Sequence, residues 1–185
     1  MIKIGSVIIC IYLFCGVFVN AGEKVELLCS FEDDSDLDAF ISDGESEIVN
    51  QHATEGSSAL KVVYKADRKE CRFLSQSEKF KSAFTTDWSE YSTFAVDVFN
   101  ESETESFLNI RIKSTDHQKI WQRQFKIPSQ KVHTIKIDIK ELKSKIEVDD
   151  VMYLGLTMGK SQYDPNAKPI TRDCTLYFDN IRLIK

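Results

Sequence analysis

Few of the side chains in this sequence that can do chemistry stand at spacings that catalysis requires. His52, His117 and His133 lie far apart, and none belongs to a His-x-x-x-His pair able to grip a zinc ion. Gly56-Ser57-Ser58-Ala59 lacks the second glycine of a nucleophile elbow, and no helix is expected after it. The run Glu32-Asp33-Asp34-Ser35-Asp36-Leu37-Asp38 is rich in carboxylates. Acid–base cleavage of a glycosidic bond, however, needs two carboxyls about 5–9.5 Å apart across a cleft. Crowded into one loop, they read as a solvated turn or a cation site. Neither a glycine-rich phosphate cradle nor a Cys-x-x-Cys spacing is present, which removes phosphoryl-transfer, thiol-redox and structural-zinc readings. The sequence predicts no catalytic group.

Other polar and aromatic residues fall into a regular pattern. Leu108, Ile110 and Ile112 alternate with Asn109, Arg111 and Lys113, and Phe94, Val96 and Val98 alternate with Ala95, Asp97 and Phe99. Such a period marks strands with one face on a core and one toward solvent or a ligand. Asp97, Phe99, Phe107, Asn109, Arg111 and Lys113 are expected to face outward. Trp121, Arg123 and Phe125 share a face of their strand by parity, and Tyr163 lies in the loop 159–169. Exposed aromatic faces beside amides, carboxylates and guanidinium groups are what a polar organic ligand needs. The expected ligand-binding set is therefore Trp121 as the platform, with Arg123, Asn109, Arg111, Asp97 and Tyr163 around it.

The elements that would position these residues are short strands. Besides 94–99 and 108–113, alternation marks 135–139 and 154–158, and further strands are expected at 25–32, 46–52, 58–65, 119–127 and 174–184. Turn-rich separators lie between them, such as Asp43-Gly44, Glu55-Gly56-Ser57-Ser58 and Pro128-Ser129. One helix is expected, at 140–146, with Leu142 and Ile146 on one side. About nine strands at this spacing point to an all-β fold, an antiparallel β-sandwich of the jelly-roll type, rather than to βαβ units.

The 185 residues fit one domain with a real core, since 42% are apolar and 12 are Phe. The net charge of −5 argues against nucleic acid as a partner. Residues 1–21 carry a lysine, an apolar run from Val7 to Val19 and a terminal Ala21. This is the pattern of a secretory signal peptide, too short to anchor the mature chain by a spanning helix. The expected organisation is a leader at 1–21 and a single jelly-roll domain at 22–185, secreted or periplasmic and without membrane insertion. Export permits disulfides. With Cys29, Cys71 and Cys174 left in the mature chain, one bridge is expected between Cys71 and Cys174, both placed near strand ends. Asn100-Glu101-Ser102 is a formal glycosylation sequon.

Ser30-Phe31-Glu32, Gly56-Ser57-Ser58-Ala59-Leu60-Lys61-Val62, Asp87-Trp88-Ser89-Glu90-Tyr91 and Tyr177-Phe178-Asp179-Asn180-Ile181-Arg182-Leu183 together resemble carbohydrate-binding modules of the galactose-binding-like jelly-roll superfamily. The resemblance implies a non-catalytic module that binds a polysaccharide or glycoconjugate. It also implies a structural calcium ion on Glu32 and Asp179, with Ser30 and Ser57 supplying further oxygens, which would clip the first strand to the last. The alternative on the same scaffold is a structural or protein-interaction domain of an envelope or extracellular complex, with an extracellular protein as partner.

Overall fold

The computed structural model describes residues 24–116 and 118–185; the expected leader and His117 lie outside the described residues. The elements run β1 (Val25–Cys29), a 3-10 turn (Asp34–Ala39), β2 (Phe40–Ser42), β3 (Glu45–Val49), β4 (Ala59–Tyr64), β5 (Glu70–Ser75), α1 (Ser77–Ala83), β6 (Thr93–Asn100) and β7 (Ser106–Ser114). They continue with β8 (Ile120–Ile127), β9 (Val132–Asp138), α2 (Ile139–Lys143), β10 (Val151–Gly159) and β11 (Cys174–Ile184). One sheet has the order β3-β4-β11-β6-β9, with β1 also paired to β11, and the other the order β2-β5-β10-β7-β8. Every pairing is antiparallel. Jelly-roll packing of two antiparallel sheets is the architecture expected from the alternation.

The core lies between the sheets. Leu108, Ile110 and Ile112 of β7 and Leu154 and Leu156 of β10 face Leu60, Val62, Phe94, Val96, Val98 and Phe178 of the other sheet, and all are buried. Full burial of each such side chain stabilises by about 1.5–3 kcal/mol. Tyr64 crosses from β4 and donates its hydroxyl to the Leu156 carbonyl at 3.1 Å, which satisfies a polar group in an apolar layer. Trp88 stacks on Phe94 with ring centroids 5.3 Å apart, and its indole N–H donates to the Thr85 carbonyl.

Two strands and a helix go beyond the sequence expectation. β5 hides within the charged run Arg68-Lys69-Glu70-Cys71-Arg72, where Cys71 and Phe73 are buried and Arg72 is not. β2 has three residues, too few to show alternation. α1 sits against the core through Phe80, the one fully buried residue among its described side chains. The expected helix at 140–146 is shorter, at Ile139–Lys143, with Asp138 capping it by accepting from the Lys140 N–H.

The expected Cys71–Cys174 bridge does not form. Cys71 lies on β5 and Cys174 on β11, in opposite sheets, and Cys29, Cys71 and Cys174 are all free and buried. The Cys174 sulfur lies 3.1 Å from the Ser106 hydroxyl, and burial pushes its thiol pKa up. Nor is the sequon presented. Asn100 is fully buried, and its Nδ2 donates to the carbonyls of Thr104 and Ile127. Peptide mapping after denaturation and alkylation without reductant is expected to return all three cysteine peptides as free thiols. A linked Cys71–Cys174 peptide would overturn this.

Candidate functional site

Period-two geometry puts one set of side chains on the outer face of the five-stranded sheet. Adjacent rows across it read Arg72, Thr157, Asn109, Gln124; then Leu74, Gly155, Arg111, Gln122; then Tyr153, Lys113, Ile120. The loop 160–173 folds over part of this face. Arg111 lies beneath it, only 4% exposed, and its charge is matched by Glu70 at 2.6 Å. The same guanidinium donates to Gln122 Oε1 at 2.8 Å and to the Ser161 hydroxyl at 3.0 Å. Asn109 donates to the Gly159 carbonyl and accepts from Gln124. Tyr163 caps the network, with its ring centroid 4.5 Å from the Arg111 guanidinium carbon.

Beside this covered part the face stays open. Tyr163 is 41% exposed and Ile41, next to Leu74, is 53% exposed. The Tyr153 side chain folds back over Gly155: a Cβ there would meet Tyr153 Cε1 and its hydroxyl oxygen at 3.1 Å and Leu74 Cδ2 at 3.0 Å. Glycine is thus what lets an aromatic ring lie down on the sheet. Lys113 reaches between the two tyrosines, its Nζ 4.6 Å from the Tyr153 centroid and 5.5 Å from that of Tyr163. The result is an apolar strip of Ile41, Leu74, Tyr153 and Tyr163 bordered by Arg72, Lys113 and Gln122.

The structure corrects the expected platform. Trp121 pairs with Ile112 and Arg123 with Ile110, so both point to the core side of the sheet. Trp121 is 4% exposed, and its indole N–H donates to Glu141 of α2 at 3.1 Å. Arg123 packs over Phe125 and Trp121 and forms a forked pair with the same Glu141. Because β8 is an edge strand, its inward side chains lie at the rim of the sandwich, where α2 covers them. An open groove of about 550 Å³ at this rim is lined by Trp121, Gln122, Arg123, Glu141 and Tyr163, among others.

Asp97 is also displaced from the expected group. It lies on β6, on the outer face of the other sheet, away from Asn109 and Arg111. There it accepts from Arg182 Nη1 at 3.0 Å, Thr134 Oγ1 at 2.6 Å and Asn180 Nδ2 at 3.0 Å. Asp179 is its register partner, and a bulge with Asn180 at φ 52° turns Asp179 and Arg182 outward while Phe178 and Ile181 stay in the core. Asparagine tolerates that left-handed backbone better than a branched residue.

The residues expected to hold calcium converge on one loop. Asp179 Oδ2 accepts from the Thr54 N–H, the Glu55 N–H and the Thr54 hydroxyl at 2.5–3.0 Å. Glu32 Oε1 accepts from the N–H groups of Ser57 and Ser58, both at 2.8 Å, and Oε2 from the Ser57 hydroxyl. Gly56, at φ 63°, has no space for a Cβ, which would fall 2.4 Å from Glu32 Oε1. Ser30 adds no hydrogen bond to the loop. This donor set does not fit a calcium site: N–H and O–H groups point their positive ends at the carboxylates, where a cation needs oxygens. Among the described residues no three His, Cys, Asp or Glu side chains gather as a metal site. Glu32 and Asp179 do clip the two terminal strands together, but through backbone amides.

Asp179→Ala should lower Tm by roughly 5–10 °C, as the part-buried Thr54 and Glu55 amides lose a charged acceptor at a cost of about 2–3 kcal/mol. The drop should be equal in calcium and in EDTA; a wild-type Tm that rises on calcium addition and a mutant Tm that does not would restore the metal clip. The amide bonds of Ser57 and Ser58 hold the Glu32 carboxyl below the usual range. A lowered folded-state pKa gives stability that is present above the unfolded value of about 4.3 and lost as pH falls through the folded one. The Tm gap between wild type and Glu32→Gln should accordingly be widest near neutrality and close in acid, and a gap constant with pH would contradict this.

Solved structures share this arrangement of sheets. It matches the family 11 carbohydrate-binding module from Clostridium thermocellum, solved with a β-1,3-1,4-mixed-linked tetrasaccharide, at a TM-score of 0.61 and 15% identity. That match covers 86% of this chain and 95% of that one. A family 30 carbohydrate-binding module matches at 0.52 and 12% identity, over 75% and 73% of the two chains. An agarase matches at 0.64 and 15% identity over 87% of this chain, which spans only 24% of the agarase. No protein-family model matches the sequence, and no curated protein matches it. At these identities the likeness speaks to architecture: the chain has the jelly-roll fold of the carbohydrate-binding modules.

Proposed function

We propose that this chain is an exported, non-catalytic module that binds a polysaccharide on the outer face of its five-stranded sheet. One observation carries the reading. Tyr153 folds back over Gly155 beside Leu74, with Tyr163 nearby and Lys113, Arg72 and Gln122 at the border. An apolar strip with a few polar groups around it is what the two sides of a pyranose ring require. The fold shared with the family 11 and family 30 modules supports it. The signal-peptide pattern of residues 1–21 supports export. Of the residues first expected to touch sugar, Arg111 and Asn109 serve instead to hold the face and its covering loop, while Tyr163 keeps a direct role. Calcium has no part in this reading.

A glycan array followed by calorimetry tests it. Tyr153→Ala should weaken binding of the selected glycan by more than tenfold, the usual scale for removing an aromatic anchor. Trp121→Phe, on the core side of the same sheet, should leave the affinity of the folded protein unchanged. Equal binding by folded Tyr153→Ala and wild type would move the site off this face. Release of reducing ends or unsaturated products by the wild type would overturn the non-catalytic reading.

A further inference from the structure

The strands of the five-stranded sheet carry five cationic side chains, and four have a carboxylate partner. Arg72 pairs with Asp43, Arg111 with Glu70, Arg123 with Glu141 and Lys126 with Glu105. Lys113 is the fifth. Among the described residues no carboxylate comes within ion-pair distance of it, and its ammonium sits between the faces of Tyr153 and Tyr163. It is half-buried, and both that burial and the neighbouring Arg111 depress its pKa. A lysine that has given up part of its hydration without a carboxylate in contact with it, Glu70 acting only from a distance, is unusual in a protein whose net charge is −5.

A second spare donor lies in the adjacent row. Gln122 Oε1 accepts from Arg111 Nε and from the Ser161 hydroxyl, which fixes the orientation of the amide. Its Nε2 is then left buried with no acceptor. Unpaired groups of this kind call for a partner that supplies lone pairs. Hydroxyls of a neutral sugar can accept a hydrogen bond but leave the ammonium charge uncompensated, whereas an anionic substituent answers both needs.

We propose that the glycan bound on this face bears an anionic group, a carboxylate or a sulfate, which Lys113 receives between the rings of Tyr153 and Tyr163. The proposal rests on the carbohydrate-binding reading above and adds the charge of the ligand to it. The tyrosine rings engage the sugar ring, Lys113 engages the anion, and Gln122 Nε2 is the additional donor beside it.

Calorimetry on the whole chain with polygalacturonate, dextran sulfate and a neutral mixed-linked β-glucan tests this. One of the two anionic polymers should bind at least about tenfold more tightly than the neutral one, and which one does so separates carboxylate from sulfate recognition. Raising NaCl from about 20 mM to about 200 mM should weaken that binding and spare the neutral polymer. Lys113→Gln should abolish the preference, bringing the anionic polymer's affinity down to that of the neutral one in the same variant, and Lys113→Arg should keep it. Neutral polymer bound as tightly as either anionic one, or a preference that survives in Lys113→Gln, would overturn the proposal and leave the carbohydrate reading standing. Polyglutamate bound as tightly as the anionic glycans would also overturn it, since the anion would then be read without a sugar. If the folded wild type binds no polymer of either kind, the carbohydrate reading itself falls.

Discussion

Strand β7 has to serve two environments along one short stretch of chain. Leu108, Ile110 and Ile112 are fully buried between the sheets, while Asn109, Arg111 and Lys113 stand on the other side. Because β7 lies between β10 and β8, its register dictates which residues of both neighbours share each face. A slip by one residue would bring Arg111 and Lys113 into the core and put three branched apolar side chains under Tyr163. The polar network of Glu70, Arg111, Gln122 and Ser161 therefore depends on the same pairing that fills the sandwich. Core and candidate site are two readings of one register.

The terminal strands are tied by another economy of the same kind. Glu32 follows Phe31, which is fully buried at φ 58°, and Asp179 precedes Asn180 at φ 52°. A left-handed backbone at a bulky residue costs on the order of 1–3 kcal/mol and persists only where the surroundings hold it in place. Here Phe31 is locked by packing against Phe40 and its neighbours, and the carboxylate beside it is spent on the amides of Ser57 and Ser58. Each carboxylate takes several donors from one loop, so that loop joins the two strands.

Much of this was legible before the structure. The alternation at 94–99, 108–113 and 154–158 gave the sandwich, and the outward positions of Asn109, Arg111 and Lys113 followed directly from parity. Parity also contained the answer for Trp121. On β8 the set Trp121, Arg123, Phe125 and Ile127 is the more apolar of the two, and Ile120, Gln122, Gln124 and Lys126 the more polar, which assigns the tryptophan to the core. Tyr153 belongs to the outward set of its strand, yet nothing local marks it as a platform; its role depends on Gly155 and on Leu74 from a strand concealed by charge. Arg72 and Glu70 were hidden for the same reason. Asp97 and Asn109 both face outward, but outward from different sheets, and that distinction is a matter of strand order, which alternation does not encode.

Asn100 sets the folded chain against one particular modification. Its side-chain amide is engaged with the carbonyls of Thr104 and Ile127 in a place with no solvent contact. An oligosaccharide attached to that nitrogen would have to replace both bonds and find room at the end of β6 where there is none. Glycan addition to a chain still emerging from a translocon would thus compete with closure of the sandwich, and the two products could not interconvert. Were the chain exported as proposed, a host that glycosylates secreted chains would divide its yield between them, whereas one without that machinery would make only the folded form.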